Sequence, residues 1–367
     1  MRSIYDIISA GELEGYKTMK TRYLHVSEDC PDPEGMEQAG EIIKNGGLVA
    51  FPTETVYGLG GDALNPESSR KIYAAKGRPS DNPLIVHIAD FKDMARLVKE
   101  VTPQAKKLAE AFWPGPLTMI LPKSELVPYE TTGGLDTVAV RFPSHKTAQA
   151  FIRAAGGYIA APSANTSGKP SPTQAKYVAE DMDGKIDMII DGGSVGIGLE
   201  STIVDLSGEK PMILRPGYIT QEMLERVLQE VEVDRTILDD TCGIKPKAPG
   251  MKYRHYAPKG DLTIVEGAQE AVTAKINELT AQAMAAGETV GIIGTEETVS
   301  GYHAHSIKNA GARADEEAIA RNLYTILREF DDEGMTVMYS ESFETAGMGQ
   351  AIMNRLLKAA GHKIIKV

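Results

Sequence analysis

Hydrophobic and polar positions along the chain predict an alternation of short buried strands and amphipathic helices that becomes dense near Met36. Apolar residues recur at helical spacing over 36–44, and Asn45-Gly46-Gly47 then supplies a terminator. A buried strand follows at 48–51. The same reading gives helices at 68–75, 91–98, 103–112, 147–155 and 173–181, with strands at 84–88, 117–121, 137–141, 158–161, 188–190 and 202–205. Several of these strands stand too close together for helical crossovers, which implies an α+β domain built on a mixed sheet. A helix at 221–230 leads into 233–249, a stretch without period that ends on Lys-Pro-Lys-Ala-Pro-Gly and reads as a linker. Beyond it the pattern resets. Strands at 262–265, 290–293, 337–339 and 364–367 alternate with helices at 268–286, 316–330 and 350–360, the arrangement of a small parallel α/β domain. The expected organisation is an N-terminal extension (1–26), a first α/β domain (27–219), a linker (220–259) and a second α/β domain (260–367).

Composition narrows the functional classes. The 367 residues are 42% hydrophobic and 25% charged, the balance of a globular protein, and carry a net charge of −12. That total argues against a surface that is a nucleic-acid or anionic-membrane platform throughout, yet it leaves room for one basic pocket. The acidity is uneven. Residues 260–367 hold 9 basic against 16 acidic residues, net −7, and residues 1–259 hold 30 against 35, net −5. The two cysteines, Cys30 and Cys242, are far apart and neither belongs to a C-x-x-C pair, so neither a disulfide framework nor a cysteine zinc cluster is expected. No run of about 18 apolar residues occurs, and the first twenty residues are interrupted by Asp6, Glu12 and Glu14, unlike a secretory signal. A cytoplasmic protein without membrane attachment is the expectation.

Four clusters carry more hydrogen-bonding and cationic residues than packing needs. The first, Phe51-Pro52-Thr53-Glu54-Thr55-Val56-Tyr57-Gly58-Leu59-Gly60, follows a predicted strand and has the composition of a ligand loop, though a polar turn would read the same. The second, Lys76-Gly77-Arg78-Pro79-Ser80-Asp81-Asn82-Pro83, sets two cations two residues apart beside a strand ending in His87, a spacing that can converge on one phosphate chain. The third runs from Ala160 through Pro162-Ser163-Ala164-Asn165 to Ser171-Pro172. Its small polar side chains on a proline-stiffened loop suit phosphate and sugar oxygens, and it lacks the glycine a P-loop requires before Gly168-Lys169. The fourth, Asp191-Gly192-Gly193 to Glu200-Ser201-Thr202, lies between strands and so is not a dinucleotide fingerprint. Arg141, at the end of a predicted strand, could hold a carboxylate by a bidentate pair, and Arg215 in Leu214-Arg215-Pro216-Gly217 reads equally as a ligand or a structural residue. No Ser-His-Asp order and no His-x-x-x-His pair is present.

Read together and in order, Phe-Pro-Thr-Glu-Thr-Val-Tyr-Gly-Leu-Gly, Lys-x-Arg-Pro-x-x-Asn-Pro-Leu, Ala-Pro-Ser-Ala-Asn and Glu-Ser-Thr-Ile-Val resemble the YrdC-like threonylcarbamoyl-AMP synthases, without departure inside the motifs. The resemblance runs from about Met36 to Gly217. The stretch Ala248-Pro249-Gly250-Met251-Lys252-Tyr253-Arg254-His255-Tyr256-Ala257-Pro258 and the domain after it resemble the long, two-domain form. The resemblance implies a twisted mixed-sheet YrdC-like α+β domain with a large concave basic cavity, followed by a smaller Rossmann-like parallel α/β domain. It also implies synthesis of L-threonylcarbamoyl-AMP from L-threonine, bicarbonate or CO2 and ATP, with release of pyrophosphate. That is the first step of threonylcarbamoyladenosine modification beside the tRNA anticodon, and a separate transferase complex takes the product. No stable tRNA binding is implied.

Carried over position by position, the resemblance assigns L-threonine to Thr55, His87, Arg141, Ala161 and Ser201. It assigns ATP to Lys76, Arg78, Asn82, Thr137, Ser163, Asn165, Ser171, Arg215 and Tyr256. Magnesium would be held mainly by the ATP phosphates rather than by a protein cage. Residues 252–258 would fold over the cavity as a lid. The competing classes are a double-stranded RNA-binding module, and a carbamoyl-transfer domain that would need the acylphosphatase and zinc-finger segments this sequence lacks.

Overall fold

The computed structural model describes residues 20–27, 31–234 and 255–367. Cys30, Cys242 and the first three residues of the predicted lid, 252–254, lie outside the described residues. Two sheets organise the chain. The first carries strands β1 (Arg22–His25), β2 (Val49–Phe51), β3 (Gly58–Asp62), β4 (Ile85–His87), β5 (Leu117–Pro122), β6 (Thr137–Arg141), β7 (Ile159–Ala161), β8 (Met188–Asp191), β9 (Thr202–Asp205), β10 (Met212–Arg215) and β11 (Glu232–Val233). They form one continuous 11-stranded sheet in the order β1-β8-β2-β3-β7-β4-β6-β5-β9-β10-β11. Parallel pairs (β4 with β6, β5 with β9) sit beside antiparallel ones (β5 with β6, β4 with β7), so the sheet is mixed, as the close spacing of its strands predicts.

Helices α1 (Pro33–Lys44), α2 (Pro66–Lys76), α3 (Met94–Leu97), α4 (Pro103–Phe112), α5 (Lys146–Ala154), α6 (Ala175–Met182) and α7 (Gln221–Leu228) belong to this part of the chain. Their ends are written in the sequence. Asp32 accepts from the N–H groups of Glu34 and Gly35 at the start of α1, and Asn65 does the same for Glu67 at α2. Both helices have proline in the first turn, and α2 stops at Gly77, whose φ of +61° suits a residue without Cβ. The helix predicted at 91–98 resolves into a 3₁₀ turn (Phe91–Asp93) and the short α3.

Beyond the linker, β12 (Asp261–Glu266), β13 (Val290–Gly294), β14 (Ser306–Asn309), β15 (Val337–Glu341) and β16 (Ile364–Lys366) form a five-stranded sheet in the order β14-β13-β15-β12-β16. Every pairing in it is parallel. Helices α8 (Gln269–Ala285), α9 (Glu316–Asp332) and α10 (Gly349–Ala359) make the crossovers. The sequence pattern predicts these α/β alternations. It misses β1, β3, β10, β11 and β14.

The two parts are packed together rather than merely tethered. Val56 and Leu199 of the first part share one apolar cluster with Tyr256 of the linker and with Leu323, Tyr324 and Ile352 of the second part. At Gly198 (φ +83°) a Cβ would come within 2.5 Å of Arg321 Cα and 2.8 Å of Ala320 O, so α9 runs directly against the backbone of the 191–201 loop. No helix among the described residues is long and apolar enough to cross a membrane.

Candidate functional site

The site is assembled where strand register brings polar residues side by side. β4 and β6 pair in parallel with His87 opposite Arg141, so the last residue of each strand emerges at the same sheet edge. Arg215 closes β10, Lys76 closes α2, and the third sequence cluster is the loop that leaves β7. Together these residues line one cavity, with walls that include His87, Arg141, Ala161, Ser201, Lys76, Arg78, Ser163, Asn165, Ser171, Arg215 and Tyr256.

Three residues assigned by the resemblance fall outside the lining. Thr55 is fully buried, 2.9 Å from Thr53 through their hydroxyls, and Thr53 faces the cavity instead. Asn82 acts through its backbone, since its carbonyl accepts from Tyr73 Oη (3.1 Å) and Arg78 Nη2 (3.3 Å) and so holds the guanidinium in place. Thr137 begins the strand that Arg141 ends, which separates the two by about 13 Å along β6.

Cations dominate the electrostatics. Lys76 Nζ is buried and donates to the carbonyls of Ser163 and Asn165, and burial, with Arg78 nearby, pushes its ammonium well below the usual lysine range. Arg78 is pushed down to about 10, chiefly by burial, and stays charged at neutral pH. Burial, reinforced by Arg141, lowers His87 to about 3, so its imidazole is neutral. Arg141 Nη2 lies 2.8 Å from Glu54 Oε1. Arg215 donates from Nε to Ser201 O (3.0 Å) and from Nη2 to Ser201 Oγ (3.1 Å), and Ser201 Oγ lies 2.7 Å from Thr118 Oγ1.

One carboxylate, Glu200, shares the wall with these cations. It accepts from Ser171 Oγ (2.6 Å), Tyr324 Oη (3.0 Å) and Arg355 Nε (3.0 Å). Burial alone would raise its pKa, but Arg355, Arg215 and the Ser171 hydrogen bond outweigh that and hold it below the usual glutamate value. Tyr324 and Arg355 are neighbours of the site that the sequence reading did not select, while Glu54 and Glu200 fell inside its first and fourth clusters without an assignment. The available signal was Arg355 on the apolar face of α10, between Ile352 and Leu356, all three of them buried.

The resemblance implies a large concave basin, whereas the cavity here is partly open and holds about 60 Å³. Tyr256 forms part of its wall. Its ring is 6% exposed and lies in the wall, stacked on Tyr324 with centroids 5.2 Å apart, and Arg355 sits 5.8 Å from the ring centre. Of the predicted lid, residues 255–258 are described, and His255 and Tyr256 face the cavity. Among the described residues no group of three or more His, Cys, Asp or Glu could hold a metal ion.

Comparison with known proteins agrees with this architecture. Residues 41–217 match the Sua5_yciO_yrdC family model, described as telomere recombination, and residues 219–361 match the model described as threonylcarbamoyl-AMP synthase, C-terminal domain. A threonylcarbamoyl-AMP synthase of Pyrococcus abyssi is 50% identical over 329 residues, 90% of this chain and 95% of that protein. One of Bacillus subtilis is 47% identical over 353 residues, 95% of this chain and 100% of that protein. The crystal structure of P. abyssi Sua5 complexed with L-threonine superposes with a TM-score of 0.90 at 48% identity, covering 95% of this chain and 100% of that one. Motif order, two-sheet architecture and matches spanning both domains converge on one conclusion: the chain belongs to the threonylcarbamoyl-AMP synthase family.

Proposed function

We propose that the chain makes L-threonylcarbamoyl-AMP from L-threonine, bicarbonate or CO2 and ATP, releasing pyrophosphate, and that a separate transferase passes the threonylcarbamoyl group to tRNA. The observation that carries the reading is the convergence of Arg78, Arg141 and Arg215, with Lys76 beside them, on a single cavity. Such a concentration of guanidinium groups suits a triphosphate and a substrate carboxylate.

The chemistry asks for no protein nucleophile. The threonine amine adds to CO2, losing a proton, or condenses with bicarbonate to give the same carbamate and water. A carbamate oxygen then attacks the α-phosphorus of ATP, and the bond to the β-phosphate oxygen breaks to release pyrophosphate. The protein's task is to align the reactants and neutralise developing charge. In this reading Arg141 holds the threonine carboxylate, while neutral His87 and Ser201 border the amino acid. Arg78, Arg215, Lys76 and the Ser163–Asn165 turn face the phosphates, with Ser171 beside them.

Magnesium fits this donor set only as a companion of the phosphates, because the one wall carboxylate, Glu200, is already engaged by Arg355, Ser171 and Tyr324. Bound there, the ion would neutralise phosphate charge. Ligand sites for molecules of this size run to roughly 300–1,000 Å³, so in this reading ATP enters when Tyr256 leaves its stack on Tyr324. The test is pyrophosphate release from ATP and magnesium. It is expected to require threonine and bicarbonate together, and release without either one would sink the reading.

A further inference from the structure

Arg141, read above as the holder of the threonine carboxylate, already faces a carboxylate of its own chain. Glu54, in the loop between β2 and β3, places Oε1 at 2.8 Å from Arg141 Nη2, and the two side chains are 12% and 5% exposed. The contact is an ion pair without an aligned hydrogen bond. Neither oxygen of Glu54, and neither Nε nor Nη2 of Arg141, has a hydrogen-bond partner among the described residues. The two buried groups thus balance each other's charge while directional donors of Arg141 stay unused. Arg141 lines the cavity and Glu54 does not. Glu54 borders a second pocket of about 270 Å³, together with Pro116, Ser144, Ile197 and Tyr218 of the first part and Glu317 and Met348 of the second. Its backbone is fixed, since the Glu54 carbonyl accepts the N–H of Ile197 (2.9 Å) and the Thr55 carbonyl accepts that of Gly198 (3.0 Å). The side chain therefore has room to turn from Arg141 into the second pocket while its loop stays in place.

An arriving threonine sets a second carboxylate beside the same guanidinium. Two carboxylates on one cation in a buried wall repel each other, so one of them gives way. We propose that Glu54 is a specificity-determining residue for the amino-acid subsite: it occupies Arg141 as a placeholder carboxylate, weakens threonine binding by the cost of its own displacement, and keeps smaller anions off the guanidinium. Bicarbonate, the other small substrate of the proposed reaction, is such an anion. On an unguarded Arg141 it would sit where the threonine carboxylate belongs. Threonine also meets the cavity wall at His87 and Ser201, and those added contacts let it displace Glu54 where bicarbonate does not. The inference rests on the threonine assignment proposed above.

The experiment uses the full chain and measures threonine affinity by calorimetry, KM for threonine and for ATP, and inhibition by excess bicarbonate. Glu54→Gln keeps the length of the side chain and one acceptor and removes the charge. It is expected to lower the threonine Kd and KM about 5-fold and to leave the ATP KM within about 2-fold. In the same variant excess bicarbonate is expected to compete with threonine. Glu54→Asp keeps the charge but draws it back by one methylene, and it is expected to lower the threonine Kd about 2-fold. A side chain that only braced its loop would not give tighter binding when changed, so the gain separates the two roles. A threonine Kd unchanged or raised in Glu54→Gln, or bicarbonate inhibition no stronger than in the parent, would each overturn the proposal. If Glu54→Gln does not fold, Glu54→Asp carries the same readouts with the smaller change. A parent that binds threonine but releases no pyrophosphate would overturn the proposed synthesis, while the threonine affinities would still decide this inference. A parent that binds no threonine would overturn both.

Discussion

Each domain buries a glutamate beside the end or the start of a strand, and the two surroundings differ in charge. In the second domain Glu341, the last residue of β15, receives Thr298, Tyr302 (2.8 Å) and Arg313, so one guanidinium meets one carboxylate and the hydroxyls fill what is left. In the first domain Glu200 precedes β9 in a wall that also carries Lys76, Arg78, Arg141 and Arg215. A balanced cluster has its partners built in and serves packing. A wall that carries several cationic side chains and one carboxylate is suited instead to receive an anionic ligand.

Substitution can break that contrast, and the largest effect is expected where the surplus is removed. Arg78→Ala should cut ATP-dependent turnover about 100-fold while leaving the thermal transition nearly in place, as pyrophosphate assays and calorimetric melts would record. Arg141→Ala should raise the threonine KM about 30-fold with little change in ATP affinity, and equal losses for both substrates would contradict its assigned role. The balanced cluster should answer in the opposite way. Glu341→Gln is expected to lower stability by about 2 kcal/mol in urea titrations and to leave turnover per folded molecule unchanged.

The smallest effect sharpens the comparison through pH. His87 is held to about 3 in the folded chain against an ordinary value of 6.5, so between those values the unfolded chain binds a proton that the folded one does not. Its contribution is therefore present above pH 6.5 and is lost as pH falls toward 3. Between pH 7 and pH 6 that loss amounts to about 0.7 kcal/mol. His87→Gln should lack this part of the slope in paired urea titrations.

Much of the architecture was legible because helix caps and strand periods are local. Asp32-Pro33, Asn65-Pro66 and Gly77 announce their helices, and the 137–141 and 202–205 strands emerge with the predicted bounds. What escaped was non-local. β3 is a Gly-Leu-Gly-Gly-Asp segment that reads as a loop, yet Gly60 lies where a Cβ would come within 2.8 Å of the Ile159 side chain, so close strand packing selects the glycine. β1 is held extended by pairing with β8, a strand more than 160 residues away. The order of eleven strands, with β7 inserted between β3 and β4, follows from no local rule.

The site shows the same division. His87 and Arg141 are visible as strand ends, and their adjacency comes from the β4–β6 register. The loop that leaves β7 is visible as composition, but the residues that hold it from α9 and α10 lie more than 140 positions along the chain, where each looks like an ordinary helical arginine or tyrosine. Only the oddity of a charge on the buried stripe of α10 hinted at them.

The contact at Gly198 constrains how the two halves can meet. With no room for even a methyl group between the 191–201 loop and the backbone of α9, any side chain at position 198 would have to push the helix off the loop, so the fit of the two halves hangs on the one residue that has none.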